Sequence, residues 1–260
     1  MKNKVVRAVL AVVMACSLFA SCQPVVTFAD EEYKPKVVAF VPIKLNNQRC
    51  PGKNIKEIAE GVPLIHCILT ALKQSKNIDE IYVYCSDSAA QLYLLPEIKF
   101  KHRSPKLDTN SASISEVVAA FVNDIDADIY ICAHATAPFL KSETIDDCID
   151  NVLKGTYDSA LTVSRLSEFI WKDGKPINYD PANIPRTQDL PPMYYETCGM
   201  WVFKKDLAKN ENRRVGHKPY LKEINKIEAI DIDTPEDFAI ASALYKENLK
   251  KIKNTRLHAS

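Results

Sequence analysis

The chain has 260 residues, of which 47% are hydrophobic and 26% are charged, a composition typical of a globular protein and not of a disordered one. Its 34 basic and 33 acidic residues leave a net charge of +1, so no basic excess marks nucleic acid as a partner. The six glycines lie at least nine residues apart, which excludes the glycine-rich phosphate loops GxGxxG and GxxxxGK[ST].

The N-terminus has the pattern of a secretory leader. Three basic residues precede an apolar run, 8–20, that is too short to span a bilayer as a stable helix. Three interpretations remain open: a lipobox-like segment ending at Cys22, which would be a possible lipid anchor; a signal-peptidase site after Ala29; and an uncleaved anchor. We predict that residues 1–35 lie outside the fold and that residues 36–260 form one domain with no membrane span.

The cysteines that follow the leader favour a different location. They lie mostly in apolar segments and are typical of buried thiols in a reducing compartment, so they predict a cytoplasmic protein whereas the leader predicts export or lipid anchoring. The sequence leaves this conflict open. These cysteines are Cys50, Cys67, Cys85, Cys132, Cys148 and Cys198.

Apolar runs and amphipathic stretches alternate from Lys36 onward. Buried strands separated by helices predict an α/β fold with three layers and a mostly parallel sheet. The predicted strands are Val37–Val41, Glu80–Cys85, Asp128–Ala133 and Ser159–Val163. The predicted helices are Pro63–Leu72, a helix over Val117–Val122 that follows a capping box at Ser113–Glu116, and Pro235 to about Lys253.

A polar loop, Pro42–Asn54, follows the first predicted strand. In a parallel sheet the loops at the carboxyl ends of strands face the ligand crevice, so Lys44, Arg49 and Lys53 are expected to converge where phosphates bind. A solvated basic surface loop is the alternative interpretation.

The segment 166–198 breaks the alternation of strands and helices. It is rich in Pro, Asp, Asn and Tyr, and we predict a crossover excursion of loops or a hairpin that serves as a lid or a subunit contact. Arg186 and Gln188 lie near tyrosines there and would suit the carboxylate and hydroxyls of an acidic sugar, although loop polarity alone would also produce them.

Two further positions are candidates for chemistry. Asp231 and Asp233 would share one side of an extended segment, as two oxygen ligands of Mg²⁺ would. The alternative is helix capping, which accounts for Asp237 but not for Asp231. His134 follows the third predicted strand, where either a structural histidine or a ligand contact is expected.

In this order, these segments resemble the cytidylyltransferases that activate acidic sugars, above all the acylneuraminate cytidylyltransferase family. The resemblance runs from about Val37 to Tyr245, and Asp231–Asp237 is nearly the family's consensus. The loop Pro42–Asn54 resembles the opening motif without a gap. Lys53 and Asn54 match that motif, while Lys44, Asn47 and Gln48 stand where the family has Arg, Ser and Lys.

Weaker matches lie between these two motifs. They are residues 85–87, 103–113, 135–138 with His134 in place of a sugar-binding Gln, 185–191, and 196–201 with Thr197 in place of Asn. The related Kdo cytidylyltransferases share an Arg before Pro-Gly-Lys, like Arg49, but carry an Asp that the segment 132–139 lacks. The resemblance is therefore closer to the acylneuraminate branch.

The resemblance implies a Rossmann-like fold of the nucleotide-diphospho-sugar transferase type, a homodimer, and transfer of CMP from CTP to an acidic 2-keto sugar with release of pyrophosphate. Asp231 and Asp233 would bind Mg²⁺ and act in catalysis with Lys53, and no residue stands out as general base. Expected CTP contacts are Lys44, Asn46, Asn47, Arg49, Lys53, Asn54, Asp87, Arg103 and Ser111. Expected sugar contacts are His134, Lys172, Arg186, Gln188 and Tyr194.

Two other hypotheses remain at this point. The leader and the departures in the Pro42–Asn54 loop also favour an exported or lipid-anchored module that keeps the fold without catalysis. A nucleotidyltransferase for another nucleotide or a neutral sugar is the third hypothesis.

Overall fold

The computed structural model describes residues 33–258, with side chains described as far as residue 251. The predicted leader and Cys22 lie outside the described residues. The strands are β1 (Val37–Pro42), β2 (Glu57–Ala59), β3 (Val62–Pro63), β4 (Glu80–Cys85), β5 (Lys99–His102), β6 (Ile129–Ala133), β7 (Ser159–Leu166), β8 (Trp171–Lys172), β9 (Lys175–Pro176), β10 (Met193–Lys204) and β11 (Pro219–Glu223). The α-helices are α1 (Leu64–Gln74), α2 (Ile114–Asp124), α3 (Ser142–Leu153), α4 (Lys205–Glu211) and α5 (Pro235–His258).

One seven-stranded sheet organises the domain, in the order β11-β7-β10-β6-β1-β4-β5. Strand β10 is antiparallel to both of its neighbours, β6 and β7, and the other neighbouring pairs are parallel. Helices cover both faces, so the central strands must be apolar on both sides, and β1 and β6 are buried along nearly their whole length. The predicted α/β fold with a mostly parallel sheet is confirmed.

Each face of the sheet has its own apolar core. Helices α1 and α3 cover one face, where Ile68 and Ile149 are fully buried. Helices α2 and α4 cover the other face, where the Phe121 ring stacks on Phe40 with 4.0 Å between centroids. Replacing a ring packed in this way with alanine typically costs about 3–5 kcal/mol. A third, smaller cluster packs α5 against the β2–β3 hairpin and α1.

Local sequence signals set the helix boundaries where they were predicted. Helix α1 begins directly after Pro63, and the N–H groups of its first two residues donate to the carbonyls of Lys56 and Asn54. At α2, Ser113 accepts the backbone N–H of Glu116, and the Glu116 carboxylate accepts the backbone N–H of Ser113. This is the predicted capping box.

The structure corrects two sequence expectations. The excursion contains the β8–β9 hairpin and a short 3₁₀ helix, but residues 193–198 belong to the sheet as the start of β10. Asp231 lies on an irregular segment and not on a strand. Its neighbour Ile232 is buried in the third cluster, and the Ile232 N–H donates to the carbonyl of Thr136 at 2.9 Å. One long-range backbone bond holds this segment in place without forming a strand, so the alternation expected of a strand does not apply to Asp231 and Asp233.

The six cysteines in the described part of the chain are all free thiols, and five of them are buried. Burial raises the pKa of Cys132 and of Cys148 to about 12, so both stay protonated at neutral pH. Among the described residues, no helix combines the length and the apolar character needed to cross a membrane.

Candidate active site

The cleft lies at the carboxyl edge of the parallel strands, between the loop that follows β1 and the loop that follows β6. Two adjoining cavities of about 250 and 340 Å³ share five lining residues and form one cleft. The first cavity has an apolar wall of Leu107, Ile114 and Val117 and a polar wall from the loop Pro42–Asn54. The second lies over Gln48, Arg49 and Cys50.

Lys53 is a deeply buried cation of this cleft, with 7% of its surface exposed. A turn at Gly52, whose φ of +65° suits glycine, directs the chain so that Lys53 faces inward. The Lys53 ammonium donates to the carbonyl of Ile232 and to Asp233 Oδ1, the latter at 3.2 Å. These acceptors offset the cost of removing the charge from water.

Asn54 organises the same loop from inside. It is 5% exposed, and its side-chain amide donates to the carbonyl of Lys44 at 3.0 Å and to Asn47 Oδ1 at 3.4 Å. The loop is therefore closed on itself before any ligand binds. This closure holds the Lys44 backbone and the Asn47 side chain at the mouth of the cavity.

The acidic segment meets the basic loop directly. Arg49 donates to Asp233 Oδ1 at 2.7 Å, so this oxygen accepts hydrogen bonds from both Arg49 and Lys53. Both donors lie 180 or more positions away in the sequence. The Arg49 side chain is 70% exposed and forms an ion pair that contributes little to stability. Lys53 is held more firmly because it is buried.

Asp231 has different surroundings from Asp233. Its Oδ1 is buried and, among the described residues, has no hydrogen-bond partner. Burial raises the pKa of Asp231, a bond from Thr136 opposes that rise, and the nearby charge of Asp233 adds to it. A buried carboxylate oxygen without a partner is suited to a hard cation such as Mg²⁺.

The described residues contain no group of three or more His, Cys, Asp or Glu side chains placed to hold a metal ion. Within this part of the chain, the acidic segment offers the carboxylates of Asp231 and Asp233. Mg²⁺ is commonly held by one or two carboxylates together with substrate phosphates, so Asp231 and Asp233 fit that ion. The capping box at Thr234 accounts for Asp237, whose carboxylate accepts the N–H of Thr234 at 2.8 Å, as the sequence predicted.

Arg103 forms the far wall of the first cavity. It is 3% exposed and donates to Asp108, which also accepts Ser86, while the Lys44 ammonium donates to the Asp108 carbonyl at 3.3 Å. The Arg103 Nε is buried and has no partner among the described residues.

His134 lines the first cavity on the side away from Arg103. Burial lowers the pKa of His134 to about 4, and the positive charges of Arg214 and Lys53 add to this effect. The imidazole is therefore neutral at pH 7, where it can donate one hydrogen bond and accept another. Its ring also packs edge-on against Trp201 with 5.1 Å between centroids.

Sequence reasoning missed Arg214. Its guanidinium lies 3.6 Å from the centre of the Trp201 ring. It follows α4 in a short connection without periodicity, and it lines neither cavity. Trp201 connects it to the cleft, because the Trp201 ring also packs against His134. The adjacent pair Arg213-Arg214 before Gly216 was the one available signal, and it is too common to be specific.

Nine predicted residues do not line either cavity. Two of them are Asp231 and Asp233, and Asp233 contacts the cleft through Arg49 and Lys53. Asn46 and Ser111 are exposed, and Asp87 accepts the N–H of Ala89 at 2.9 Å as the cap of a 3₁₀ helix. The sugar contacts predicted in the excursion are also exposed: Lys172, Arg186, Gln188 and Tyr194. Arg186 donates two hydrogen bonds to Asp189, at 2.7 and 3.0 Å. Lys44, Asn47, Arg49, Lys53, Asn54, Arg103 and His134 do line the cleft.

Comparison with known families identifies the family of the chain, because the sequence profile described as Cytidylyltransferase matches residues 38–259. The chain belongs to the cytidylyltransferase family. The match spans the basic loop, the acidic segment and the strands between them. The family predicted from the motifs is confirmed.

Curated relatives of this cytidylyltransferase carry related names. N-acylneuraminate cytidylyltransferase A of Danio rerio is 27% identical over 79% of this chain and 50% of its own length. The protein from Oncorhynchus mykiss named N-acylneuraminate cytidylyltransferase is 27% identical over 82% of this chain. CMP-N,N'-diacetyllegionaminic acid synthase of Legionella pneumophila is 28% identical over 82% of this chain and 97% of its own length. The chain spans about half the length of the first two relatives.

Solved structures support the fold. A CMP:2-keto-3-deoxy-manno-octonic acid synthetase complexed with CTP has a TM-score of 0.61 at 15% identity, and the alignment covers 82% of this chain and 99% of the other. The 4-diphosphocytidyl-2C-methyl-D-erythritol synthase of Anaerococcus prevotii has a TM-score of 0.61 at 14% identity, covering 82% and 96%. The predicted nucleotide-diphospho-sugar transferase type of fold is confirmed.

Proposed function

We propose that this cytidylyltransferase transfers CMP from CTP to the anomeric hydroxyl of an acidic 2-keto sugar of the N-acylneuraminate type. The hydroxyl oxygen bonds to the α-phosphorus, the bond from that phosphorus to the bridging oxygen breaks, pyrophosphate leaves, and the hydroxyl proton passes to solvent. The observation that carries the proposal is the contact of Arg49 and Lys53 with Asp233, because it brings phosphate-binding cations and metal-binding carboxylates to one point.

In this proposal the first cavity binds the base of the nucleotide and the second binds its triphosphate. The apolar wall of Leu107, Ile114 and Val117 suits a pyrimidine ring. Lys44, Arg49 and Lys53 line the adjoining cavity, where they would neutralise the triphosphate, and Arg49 can turn toward a phosphate because its side chain is mostly exposed. Phosphoryl transfer requires mainly positioning and charge stabilisation of this kind.

Asp231 and Asp233 would hold Mg²⁺ on the acidic side of the cleft. Bound there, the ion would supply charge neutralisation at the α-phosphate and lower the pKa of the sugar hydroxyl. Lys53 holds Asp233 in place because its ammonium donates hydrogen bonds to Asp233 and to the carbonyl of the preceding residue, Ile232. His134, with a pKa of about 4, is too weak a base to take the hydroxyl proton efficiently at neutral pH.

The test is an assay of pyrophosphate release across a panel of nucleotides and sugars. We expect release with CTP and an acidic 2-keto sugar, dependent on Mg²⁺, and little release with ATP, GTP or UTP. No release with any acidic sugar would overturn the proposal. Release with a neutral sugar or a different nucleotide would replace it with another nucleotidyltransferase activity.

We also propose that the excursion mediates a homodimer, as the family resemblance implies. Among the described residues it exposes several large apolar side chains, including Trp171 at 57% and Ile184 at 63% exposure. Exposed apolar side chains grouped in one segment are typical of a protein interface. Sedimentation of the wild type and of Trp171→Ser tests this: a dimer that dissociates more readily in the variant is expected, and a monomeric wild type would contradict it.

A further inference from the structure

The cations that line the cleft, among the residues that the structure describes, are all engaged within the protein. Lys44, Arg49, Lys53 and Arg103 all donate hydrogen bonds within the protein, and the first three would serve the triphosphate. An acidic 2-keto sugar carries its carboxylate on the same carbon as the attacking hydroxyl. That carboxylate must therefore lie close to Asp231 and Asp233 during the reaction, where it needs a further cation.

Arg214 is a cation of the right kind. Among the described residues its guanidinium has no hydrogen-bond acceptor and one ion-pair partner, Glu196, at 4.0 Å. Its side chain is 22% exposed, so it is accessible but not freely solvated. The guanidinium has five N–H donors in a planar fork that matches a carboxylate, and most of these donors remain available.

The sheet register places Arg214 on the correct face of the molecule. Trp201 pairs with Cys132 across β10 and β6, so the two side chains share a face, and His134 lies two residues further along the same face. That face also carries Val117 of the first cavity. The order across the face is therefore nucleotide wall, His134, Trp201 and Arg214, with Arg214 farthest from the nucleotide.

Backbone hydrogen bonds connect strand β10, which carries Trp201, to the acidic segment. The Gly199 carbonyl in the β10 bulge accepts the His134 N–H at 3.0 Å. In the same loop after β6, the Thr136 carbonyl accepts the Ile232 N–H at 2.9 Å. The acidic segment and the strand that supports Arg214 therefore border the same loop.

Arg214 is also held rigidly. Trp201 supports the guanidinium from one side, and its indole N–H donates to Glu196 at 3.1 Å. The following turn is fixed because Gly216 N–H donates to Ser159 at 2.8 Å, and a Cβ on Gly216 would come within 2.3 Å of Asp158. An arginine that is already ordered loses little conformational entropy when it binds a carboxylate.

We propose that Arg214, supported by Trp201, binds the carboxylate of the acidic sugar. This inference rests on the proposed function and names the residue that selects an acidic over a neutral second substrate. It departs from the sequence expectation, which assigned this role to Arg186 and Lys172. Arg186 already donates to both oxygens of Asp189.

The first experiment measures steady-state kinetics of Arg214→Gln with pyrophosphate release as the readout. We expect the KM for the acidic sugar to rise about 10- to 100-fold while the KM for CTP changes less than about 2-fold. Lys209→Gln is the matched control, since it removes one positive charge from an exposed position on the preceding helix α4. Both KM values should stay within about 2-fold of wild type in this control. An unchanged sugar KM in Arg214→Gln overturns the proposal.

The second experiment tests whether the partner of Arg214 is the carboxylate. Converting the sugar carboxylate to its amide should weaken the wild type strongly and should weaken Arg214→Gln much less, because the variant has already lost the interaction. An equal penalty in both proteins would place the carboxylate elsewhere and overturn the proposal. Matching unfolding temperatures and CTP affinities establish that the variant is folded.

A binding measurement separates this proposal from the proposed function. Trp171 and Trp201 are the two tryptophans of the chain, so Trp171→Phe leaves Trp201 as the fluorescent reporter beside Arg214. Titration with N-acetylneuraminate should change the emission of Trp171→Phe but not that of Trp171→Phe/Arg214→Gln. This result would support the subsite even if the wild type released no pyrophosphate, which would reject only the proposed function. Equal responses in the two proteins reject the Arg214 subsite.

Discussion

Two polar segments of this chain, the loop Pro42–Asn54 and the excursion 166–198, have similar compositions and very different structures. Lys53 and Asn54 of the loop are buried at 7% and 5% exposure, and both make several internal hydrogen bonds. In the excursion, Lys172 and Arg186 are exposed. Polar composition alone therefore does not mark a binding site. What matters is whether the fold encloses the polar groups, and a loop at the carboxyl edge of a parallel sheet is enclosed by its neighbours.

The largest effect that would separate the buried loop from the exposed excursion is expected at Asp233, which the loop contacts. Asp233→Asn removes the charge that receives both Arg49 and Lys53 and one proposed metal ligand. We expect kcat for pyrophosphate release to fall by about 1,000-fold or more with the fold intact. Unchanged turnover in a folded variant would contradict the role of the loop and of the acidic segment. Circular dichroism and the thermal midpoint verify the fold.

A second test concerns His134, on the other side of the cleft. Its pKa is about 4 in the folded protein and 6.5 in the reference state, so the unfolded chain binds a proton first as the pH falls. The folded state keeps its full stability above about pH 6.5 and loses about 3 kcal/mol progressively toward pH 4, because the buried imidazole resists protonation. His134→Gln should remove this part of the pH dependence in chemical denaturation between pH 7 and pH 4. The same slope in variant and wild type would contradict the assignment.

A third test uses the raised pKa of Asp231. A buried carboxylate whose pKa is raised destabilises the folded state as the pH rises through that pKa, because the unfolded chain ionises more easily. Asp231→Asn should therefore raise the free energy of unfolding at pH 7 by about 1 kcal/mol while it impairs turnover. The gain should vanish below about pH 3.8, the reference pKa, where the carboxyl is protonated in both states. Equal stability of both proteins at pH 7 would show that Arg49 and Lys53 already compensate the charge.

The smallest effect is expected in the excursion itself. Arg186→Gln removes a guanidinium that is bonded to Asp189 on the surface. We expect the KM for CTP to change by less than about 2-fold and the KM for the sugar by less than about 5-fold, since surface ion pairs contribute little. A loss of sugar affinity as large as that of Arg214→Gln would show that the excursion reaches a substrate, and the comparison between the two segments would fail.

Much of the fold follows from the sequence because its signals are local. Continuous apolar runs predicted β1, β4, β6 and β7 with nearly correct bounds, since strands buried on both faces are apolar throughout. The capping box at Ser113 and the first-turn Pro235 predicted where two helices begin. In each case the residues that determine the feature lie within a few positions of one another.

In the candidate site too, the residues that depend on local sequence were predictable and those that depend on distant contacts were not. Lys53 and Arg49 were predictable because a loop after a buried parallel strand must reach the carboxyl edge, whatever its partners are. Asp231 was predicted from its motif, but its irregular backbone depends on one bond from Ile232 to Thr136. Arg214 was missed because no local pattern connects it to Trp201 or to His134.

By itself, the sequence determined strands β1, β4, β6 and β7, helices α1, α2 and α5, and the edge at which the polar loops meet. Only the tertiary structure decided that β10 inserts antiparallel between β6 and β7, that Trp201 thereby lies beside Cys132, and that Arg214 packs on the Trp201 ring. The physical reason is that helix and strand periodicity depend on neighbouring residues, whereas strand pairing and burial of a charge depend on contacts between distant ones. The contact of Lys53 with Asp233 across 180 residues is of the second kind.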